Sequence, residues 1–514
     1  MTDTQNNKLH AGSADSEVSE YFNKVMRNAG TIAIARLLSA LSAIAIVPVI
    51  IHKLDLVGYG VWETIFAVTS LITMMLGALG TTFLWRLSQI GATEDVVDAA
   101  RMVRVAVFLV LVISAIGSVL LVFISPELVA CFHLDGEEAK GAQQILPLLA
   151  AASLLGGMNI VRAAGLQAFH KAGLVSLVNT LSQMFNYSVA ALLLFGDFGL
   201  WSLFWGFVAA NLITYFLHTA LLVRTLRSPC VLPALPDWNE LRHMSKYLGM
   251  LLIGTGAVAL RGQKDRLILA AFTSSTWVGF YGIAARLVSP IMEISNFIYV
   301  PVIAAAGNLN GSGNWKAMGD LYSRLMRIVP FGVGLVAVLL IGLQREIQII
   351  WLGEYVPEVR PILLWLLLGQ VTAVVLTGPG TAILKGAGRL RIETAYIVLS
   401  LVLNVLSTIV LICMIGPMGS VVSSGGTWAL ASLLFVFLLH KHTSLPLRGT
   451  LNGVFVLSIV IVFALAMPFV PPLFACSTRT ACVYHLIIFG GIFSLLFTCI
   501  TYFAAARILG KTRA

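Results

Sequence analysis

The chain has 514 residues, of which 58% are hydrophobic and only 11% are charged, whereas charged residues make up about 25% of an average soluble domain. This composition excludes an ordinary soluble protein and predicts an all-α integral membrane protein that crosses the bilayer many times. The net charge of +10 would suggest a nucleic-acid partner for a soluble protein, but the excess of Lys and Arg in cytoplasmic loops explains it here. We therefore predict no nucleic-acid partner.

The chain begins with a polar segment and continues with apolar segments. The first 29 residues lack the apolar stretch and the small-residue cleavage site of a signal peptide. The later apolar segments are each close to the length of about 20 residues that spans a bilayer. They predict about fourteen transmembrane helices, at residues 30–51, 59–80, 103–124, 145–167, 174–195, 199–222, 247–271, 278–303, 325–343, 361–383, 393–413, 418–439, 451–470 and 483–505.

The loop charges predict the orientation of these helices, because Lys and Arg concentrate on the cytoplasmic side of a membrane. If the N-terminus is inside, most loop cations fall on the inner side, and the outer loops hold only Lys53, Lys140, Arg345, Arg360 and Arg479. We therefore predict that both termini are cytoplasmic.

Matches between distant parts of the chain indicate an internal duplication. Each consists of a short pattern and a counterpart at a similar distance along the chain. They are Val57–Gly60 with Val278–Gly282, Arg101–Arg104 with Arg324–Arg327, His170-Lys171 followed by Asn186 with Gly388-Arg389 followed by Asn404, and Phe198-Gly199 with Met418-Gly419. The common offset predicts two pseudo-symmetric six-helix lobes of the same orientation. Transporters use parallel repeats of this kind to build a site at the lobe interface.

The duplication predicts the organisation of the chain. It comprises a cytoplasmic N-terminal segment (1–29), an N-lobe (30–222), a cytoplasmic linker (223–246), a C-lobe (247–440), and a last part (441–514) with two further helices and a cytoplasmic tail. Cys476 and Cys482 share the loop between these two helices, and the sequence leaves open whether they form a disulfide or stay free.

A charged stretch interrupts the seventh apolar segment. Arg261, Lys264 and Asp265 stand at i, i+3 and i+4, so they share one face of a helix, and Arg266 follows. Ionisable groups inside a bilayer are costly and usually face a bundle interior or a watery cavity. This face is therefore a candidate site for an anionic substrate. The alternative is an anchor that snorkels to the outer interface, with Arg261 paired to Asp265.

Other ionisable residues lie within predicted spans. Arg36, Arg162 and Arg286 carry guanidinium groups, whose planar donors suit a pyrophosphate; interfacial snorkelling is the alternative for Arg36 and Arg162. Asp265 and Glu293 are candidate sites for a coupling ion, and the alternative for Glu293 is a fixed partner for a neighbouring arginine. Glu63, near an outer turn, is interpreted as an interface residue.

Four motifs give the chain a resemblance to a known family. The segments Leu54–Gly60, Asp265–Ala270, Val278–Arg286 and Leu384–Leu390 together resemble the polysaccharide transporter (Wzx-type) branch of the multidrug/oligosaccharidyl-lipid/polysaccharide (MOP) exporter superfamily. The resemblance implies a V-shaped alternating-access protein of the bacterial inner membrane. Such a protein moves a lipid-linked oligosaccharide, of the undecaprenyl pyrophosphate type, from the inner to the outer leaflet. In the related lipid II flippases, arginines on helices one and eight correspond by helix to Arg36 and Arg286.

The resulting hypothesis is an ion-coupled flippase for surface polysaccharide. Its substrate ligands would be Arg36, Arg162, Arg261, Lys264 and Arg286, and its partners would be lipid-linked oligosaccharide, membrane lipids, a polysaccharide polymerase and other export proteins. No cofactor and no metal are expected, and no Walker-type phosphate loop is present. The alternatives are a multidrug cation antiporter of the same superfamily and a membrane polysaccharide polymerase or ligase. We expect a non-enzyme, because no loop is long enough for a catalytic domain.

Overall fold

The structure, a computed structural model, describes residues 31–32, 34–91, 96–134, 136–169, 171–226, 235, 242, 256–257, 259–311, 313–466 and 478–510. Every regular element in these ranges is helical. The prediction of an all-α protein is confirmed. Its physical reason is that a helix satisfies its backbone hydrogen bonds internally, where a bilayer offers no water to do so.

The helices are named here in chain order. They are α1 (Ile34–Ala45), α2 (Val47–Gly91), α3 (Val96–Cys131), α4 (Gly136–Ala168), α5 (Ala172–Phe195), α6 (Trp201–Leu226), α7 (259–272), α8 (Ser275–Gly311), α9 (Trp315–Leu352), α10 (Val359–Gly386), α11 (Leu390–Ile415), α12 (Met418–His442), α13 (Leu447–Ala466) and α14 (Arg479–Gly510).

Eleven helices within the described residues are long and apolar enough to cross a membrane. The chain is therefore a multi-pass membrane protein. Many helices extend beyond the predicted spans, since a helix can continue outside the hydrocarbon core; α9, for example, has 38 residues. The predicted count of about fourteen spans stays a prediction, because residues 247–255, the first part of the seventh predicted span, lie outside the described residues.

Contacts divide the chain into two compact units. Unit 1 consists of residues 1–43, 72–123 and 145–255, and unit 2 of residues 44–71, 124–144 and 256–514. The first half of α2 thus belongs to the same unit as α7 to α14. The predicted lobes have different boundaries and stay a prediction.

A sharp turn inside α2 separates the first two predicted spans. Asp55 has a positive φ (φ 56°, ψ −174°), a backbone conformation that residues with a side chain rarely adopt. Its carboxylate accepts a hydrogen bond from the Gly58 N–H at 2.9 Å, as the capping residue of a new helix does. The chain therefore turns within the Leu54–Gly60 motif, as the sequence predicts.

The duplicated glycine motifs pack against each other within unit 2. A Cβ added at Gly60 would lie 1.8 Å from the Ser275 carbonyl oxygen, and one at Gly279 would lie 2.7 Å from the Leu56 carbonyl oxygen. Only glycine permits such close backbone contact, as small residues do at helix interfaces in membranes. This contact holds the start of α8 against the part of α2 that carries Glu63.

Gly60→Ala is expected to destabilise the protein by about 1–3 kcal/mol or more, because the added methyl group meets backbone that no side-chain rotation can move away. The melting temperature of the purified protein in detergent measures this effect. Gly332→Ala on α9 is the matched control, since nothing lies within 4 Å of its Cβ position. Equal melting temperatures for the two variants would contradict the close contact.

Candidate functional site

A buried ion pair on α7 forms the centre of the charged cluster. Lys264 Nζ lies 2.5 Å from Asp265 Oδ1, and both residues are 2% exposed. The same oxygen accepts hydrogen bonds from Ser424 at 2.7 Å and Ser420 at 3.1 Å, while Tyr281 donates to Oδ2 at 3.0 Å. The carboxylate of Asp265 therefore joins α7 to α8 and α12.

Lys264 is held from two directions. Its ammonium donates to Asp265 and to Ser424 Oγ at 2.8 Å. Asp265 therefore has Lys264 as its ion-pair partner, and the alternative that pairs it with Arg261 is wrong. A cation that binds Asp265 would have to displace Lys264 first.

The polar network continues from α12 into α11. Asn404 donates to the Ser423 carbonyl oxygen at 3.2 Å, and Ser407 lies 2.6 Å from Ser423 Oγ. Thr408 donates to the same hydroxyl at 2.8 Å. Asn404 thus forms the interhelical hydrogen bond that is common for amides and hydroxyls within membranes.

A second ion cluster joins α2, α7 and α8. Glu63 is 2% exposed, and its Oε2 lies 2.8 Å from Arg266 Nε. Its Oε1 lies 3.4 Å from Arg286 Nη2. The interpretation of Glu63 as an interface residue is wrong, because this carboxylate is buried between two arginines. Arg286 keeps 30% of its side-chain surface exposed.

Arg261 packs on aromatic rings. Its guanidinium carbon lies 4.5 Å from the ring centroid of Trp428 on α12 and 5.8 Å from that of Tyr396 on α11. Cation–π contacts of this kind contribute about 0.5–2 kcal/mol. Among the described residues, no carboxylate lies within ion-pair distance of Arg261.

Counted over the described residues, the cluster has more cations than carboxylates. It contains four cations and two carboxylates. The cations are the ammonium of Lys264 and three guanidinium groups. The members are Glu63, Arg261, Lys264, Asp265, Arg266 and Arg286. Because both carboxylates are already engaged by cations, the excess charge can be balanced by an anionic ligand.

The two remaining predicted arginines belong to unit 1. Arg162 on α4 is 1% exposed, donates to the Met158 carbonyl oxygen at 3.0 Å, and lies 4.2 Å from the ring centroid of Tyr215. Arg36 lies on an exposed part of α1. Burial of Arg162 is inconsistent with snorkelling in this conformation. Asn159 nearby on α4 donates to the Asn211 carbonyl oxygen on α6 at 3.0 Å.

Some predictions fall partly outside the described residues. Glu293 lies on α8, but its side chain is not among those described. Cys482 is disulfide-bonded, and Cys476 lies outside the described residues. Within the described ranges, no group of three or more His, Cys, Asp or Glu side chains is placed to hold a metal ion.

Sequence reasoning missed several members of the site. Glu63 carried a signal, since a carboxylate three residues after the repeated Gly60 has to find a partner inside the bilayer. Ser420 and Ser424 recur at i and i+4 on α12 and so share a face. No signal in the sequence singled out Tyr396 and Trp428 from the other aromatic residues.

Comparison with known proteins agrees with this fold. The solved structure of the lipid II flippase MurJ in an inward closed conformation superimposes with a TM-score of 0.72 and 14% identity, covering 92% of this chain and 99% of that one. An inward-facing multidrug resistance MATE transporter of the MOP superfamily gives a TM-score of 0.63 at 14% identity, covering 84% and 99%. The eukaryotic MATE transporter AtDTX14 gives a TM-score of 0.59 at 16% sequence identity, and the match covers 86% of this chain and 99% of that one. No curated protein matches the chain in sequence.

Sequence comparison also identifies the family. Residues 57–355, more than half of the chain, match the family model described as polysaccharide biosynthesis protein. The fold is that of transporters of the MOP superfamily, as the motifs around Gly60, Asp265 and Gly282 predict. The chain belongs to the polysaccharide biosynthesis protein family.

Proposed function

We propose that the protein is a flippase that moves a lipid-linked oligosaccharide from the inner to the outer leaflet of the bacterial inner membrane, with both termini in the cytoplasm. The observation that carries this proposal is the charged cluster of unit 2, in which four cations and two carboxylates lie together. A pyrophosphate-linked substrate supplies the complementary negative charge. Family membership and a transporter fold support the same function.

Five cations are proposed to bind the head group in the course of transport: Arg36, Arg162, Arg261, Lys264 and Arg286. Their present contacts suggest an order. Among the described residues, Arg261 has no carboxylate to release, whereas Lys264 and Arg286 are held by Asp265 and Glu63. Lys264 and Arg286 therefore engage the substrate only by exchanging partners, which ties substrate binding to rearrangement of the helices.

The coupling ion is proposed to act at Asp265, with Glu293 as the other candidate carboxylate. Asp265 is buried and accepts four hydrogen bonds or ion contacts. A proton or a metal cation reaches this carboxylate only when Lys264 moves away. In this proposal, ion binding and release of Lys264 are one exchange reaction in an alternating-access cycle.

The two alternative functions require different properties of the charged cluster. A multidrug cation antiporter needs carboxylates available to a cationic drug, and the described carboxylates Glu63 and Asp265 both contact cations. Drug resistance on overexpression would favour that alternative. Chain extension by the purified protein would favour a polymerase or ligase.

Deletion of the gene is expected to abolish surface glycan and to trap its lipid-linked precursor in the inner leaflet. Labelling of cell-surface glycan and accessibility of the precursor in right-side-out and inverted vesicles measure the two effects. Re-expression of the wild type should restore both. Unaltered glycan display, in a strain with no second transporter of this type, would contradict the proposal.

A further inference from the structure

Two buried polar groups near Arg261 lack hydrogen-bond partners among the described residues. Tyr396 is 5% exposed, and its hydroxyl is buried with no hydrogen-bond partner among the described residues. The indole N–H of Trp428 is likewise buried and unpartnered. Both rings lie within 6 Å of the Arg261 guanidinium. Leaving a buried donor unsatisfied costs free energy, so a ligand that accepts hydrogen bonds from these groups is stabilised.

Stacking on Trp428 also leaves donors available on Arg261. A cation–π contact engages the charge of the guanidinium and uses no hydrogen-bond acceptor, so its N–H groups stay available to a ligand. The three side chains thus offer guanidinium N–H, indole N–H and phenol O–H donors. A neutral sugar hydroxyl would leave the charge of Arg261 without a partner. An oxyanion accepts all three kinds of hydrogen bond and neutralises the charge.

The neighbouring cations are already paired with carboxylates. Lys264 is paired with Asp265, and both Arg266 and Arg286 are paired with Glu63. Within the described part of this cluster, Arg261 is the cation whose charge no carboxylate balances. An incoming anion therefore finds its strongest uncompensated partner at Arg261.

We propose that Arg261, Tyr396 and Trp428 form an oxyanion subsite for the transported lipid. Its ligand is either a phosphate of the carrier or a carboxylate on an acidic sugar. This inference rests on the proposed flippase function and adds two substrate-binding residues to it. In both cases the oxyanion accepts hydrogen bonds from the guanidinium, the indole N–H and the phenol O–H.

The test measures binding by purified protein in nanodiscs. Three probes separate the sources of the anion: a prenyl pyrophosphate carrying glucose, the same lipid carrying glucuronic acid, and a prenyl glucoside without phosphate. Tyr396→Phe and Trp428→Phe each remove one donor and leave an aromatic ring at the position. Arg261→Lys keeps the charge and loses the planar donors. Tyr484→Phe and Trp205→Phe are matched controls, because both side chains are exposed.

Each site variant is expected to weaken binding of an anionic probe about tenfold or more, since hydrogen bonds to charged groups contribute about 1.5–3 kcal/mol. Equal loss for both pyrophosphate probes identifies the phosphate as the ligand, and loss confined to the glucuronic acid probe identifies the carboxylate. Unchanged affinity for all probes in Tyr396→Phe and Trp428→Phe, with wild-type melting temperatures, would overturn the subsite.

Failure of the subsite and failure of the flippase proposal are distinguishable. If the wild type and all three variants translocate the lipid-linked probe equally well in vesicles, the subsite is wrong and the flippase proposal stands. If the wild type itself translocates none of the probes, the flippase proposal fails.

Discussion

Glu63→Gln is expected to destabilise the folded protein by about 3–5 kcal/mol, because it leaves two arginines in a buried cluster without their shared carboxylate. Glu63 contacts Arg266 at 2.8 Å and Arg286 at 3.4 Å, and it is itself 2% exposed. The neutral amide can still accept a hydrogen bond but cannot balance a positive charge. The loss is therefore mainly electrostatic.

The melting temperature of purified protein and its yield from the membrane measure this loss. Glu354→Gln is the control, since Glu354 is an exposed carboxylate, and it should melt like the wild type. A Glu63→Gln protein as stable as the control would show that the two arginines do not depend on Glu63.

Asp265→Asn is expected to destabilise the folded protein by roughly 3–5 kcal/mol, because Lys264 would keep a buried charge without its partner. The double variant Lys264→Met with Asp265→Asn is expected to recover most of this loss. Replacing both members of a buried ion pair by neutral groups is often close to neutral for stability. The asparagine oxygen also remains as an acceptor for Ser420 and Ser424.

The double variant separates stability from transport. Its melting temperature should exceed that of Asp265→Asn, and the difference measures the coupling between the two residues. If Asp265 is the coupling site, the stable double variant no longer transports. A double variant with wild-type melting temperature and wild-type transport would assign the ion pair a structural role alone.

The sequence predicts the helices well because their signal is local. Each span needs about 20 apolar residues, and a run of that length is visible without any knowledge of partners. The turn at Asp55 and the charged face of α7 are visible for the same reason. Cations at Arg261, Lys264 and Arg286 stand out because charge is rare in such segments.

The pairing of these charges is not local. Asp265 has candidate partners at i−4 and i−1, and helix spacing favours Arg261. The structure selects Lys264, because Ser424 on α12 holds the ammonium and Ser420 and Tyr281 hold the carboxylate. These contacts join residues more than 100 positions apart in several cases, so the spacing on a single helix could not reveal them.

Glu63 illustrates the same limit. It lies more than 200 residues before Arg266 and Arg286, and only the close packing of Gly60 against Ser275 brings the three together. The duplicated motif was visible in the sequence, but the contact between its two copies was not. An internal repeat shows which segments of a chain are similar, but it does not show which segments are in contact.

Translocation by the purified protein in vesicles tests the central claim most directly. Fluorescent prenyl pyrophosphate glucose is placed in both leaflets, and a membrane-impermeant reductant reports how fast the protected leaflet becomes accessible. Wild-type protein is expected to expose the protected lipid, and Arg261→Gln at equal reconstitution is expected to slow this about tenfold or more, since it removes a charge-assisted contact. Translocation by the wild type that Arg261→Gln leaves unchanged, or no translocation above protein-free vesicles, would contradict the account.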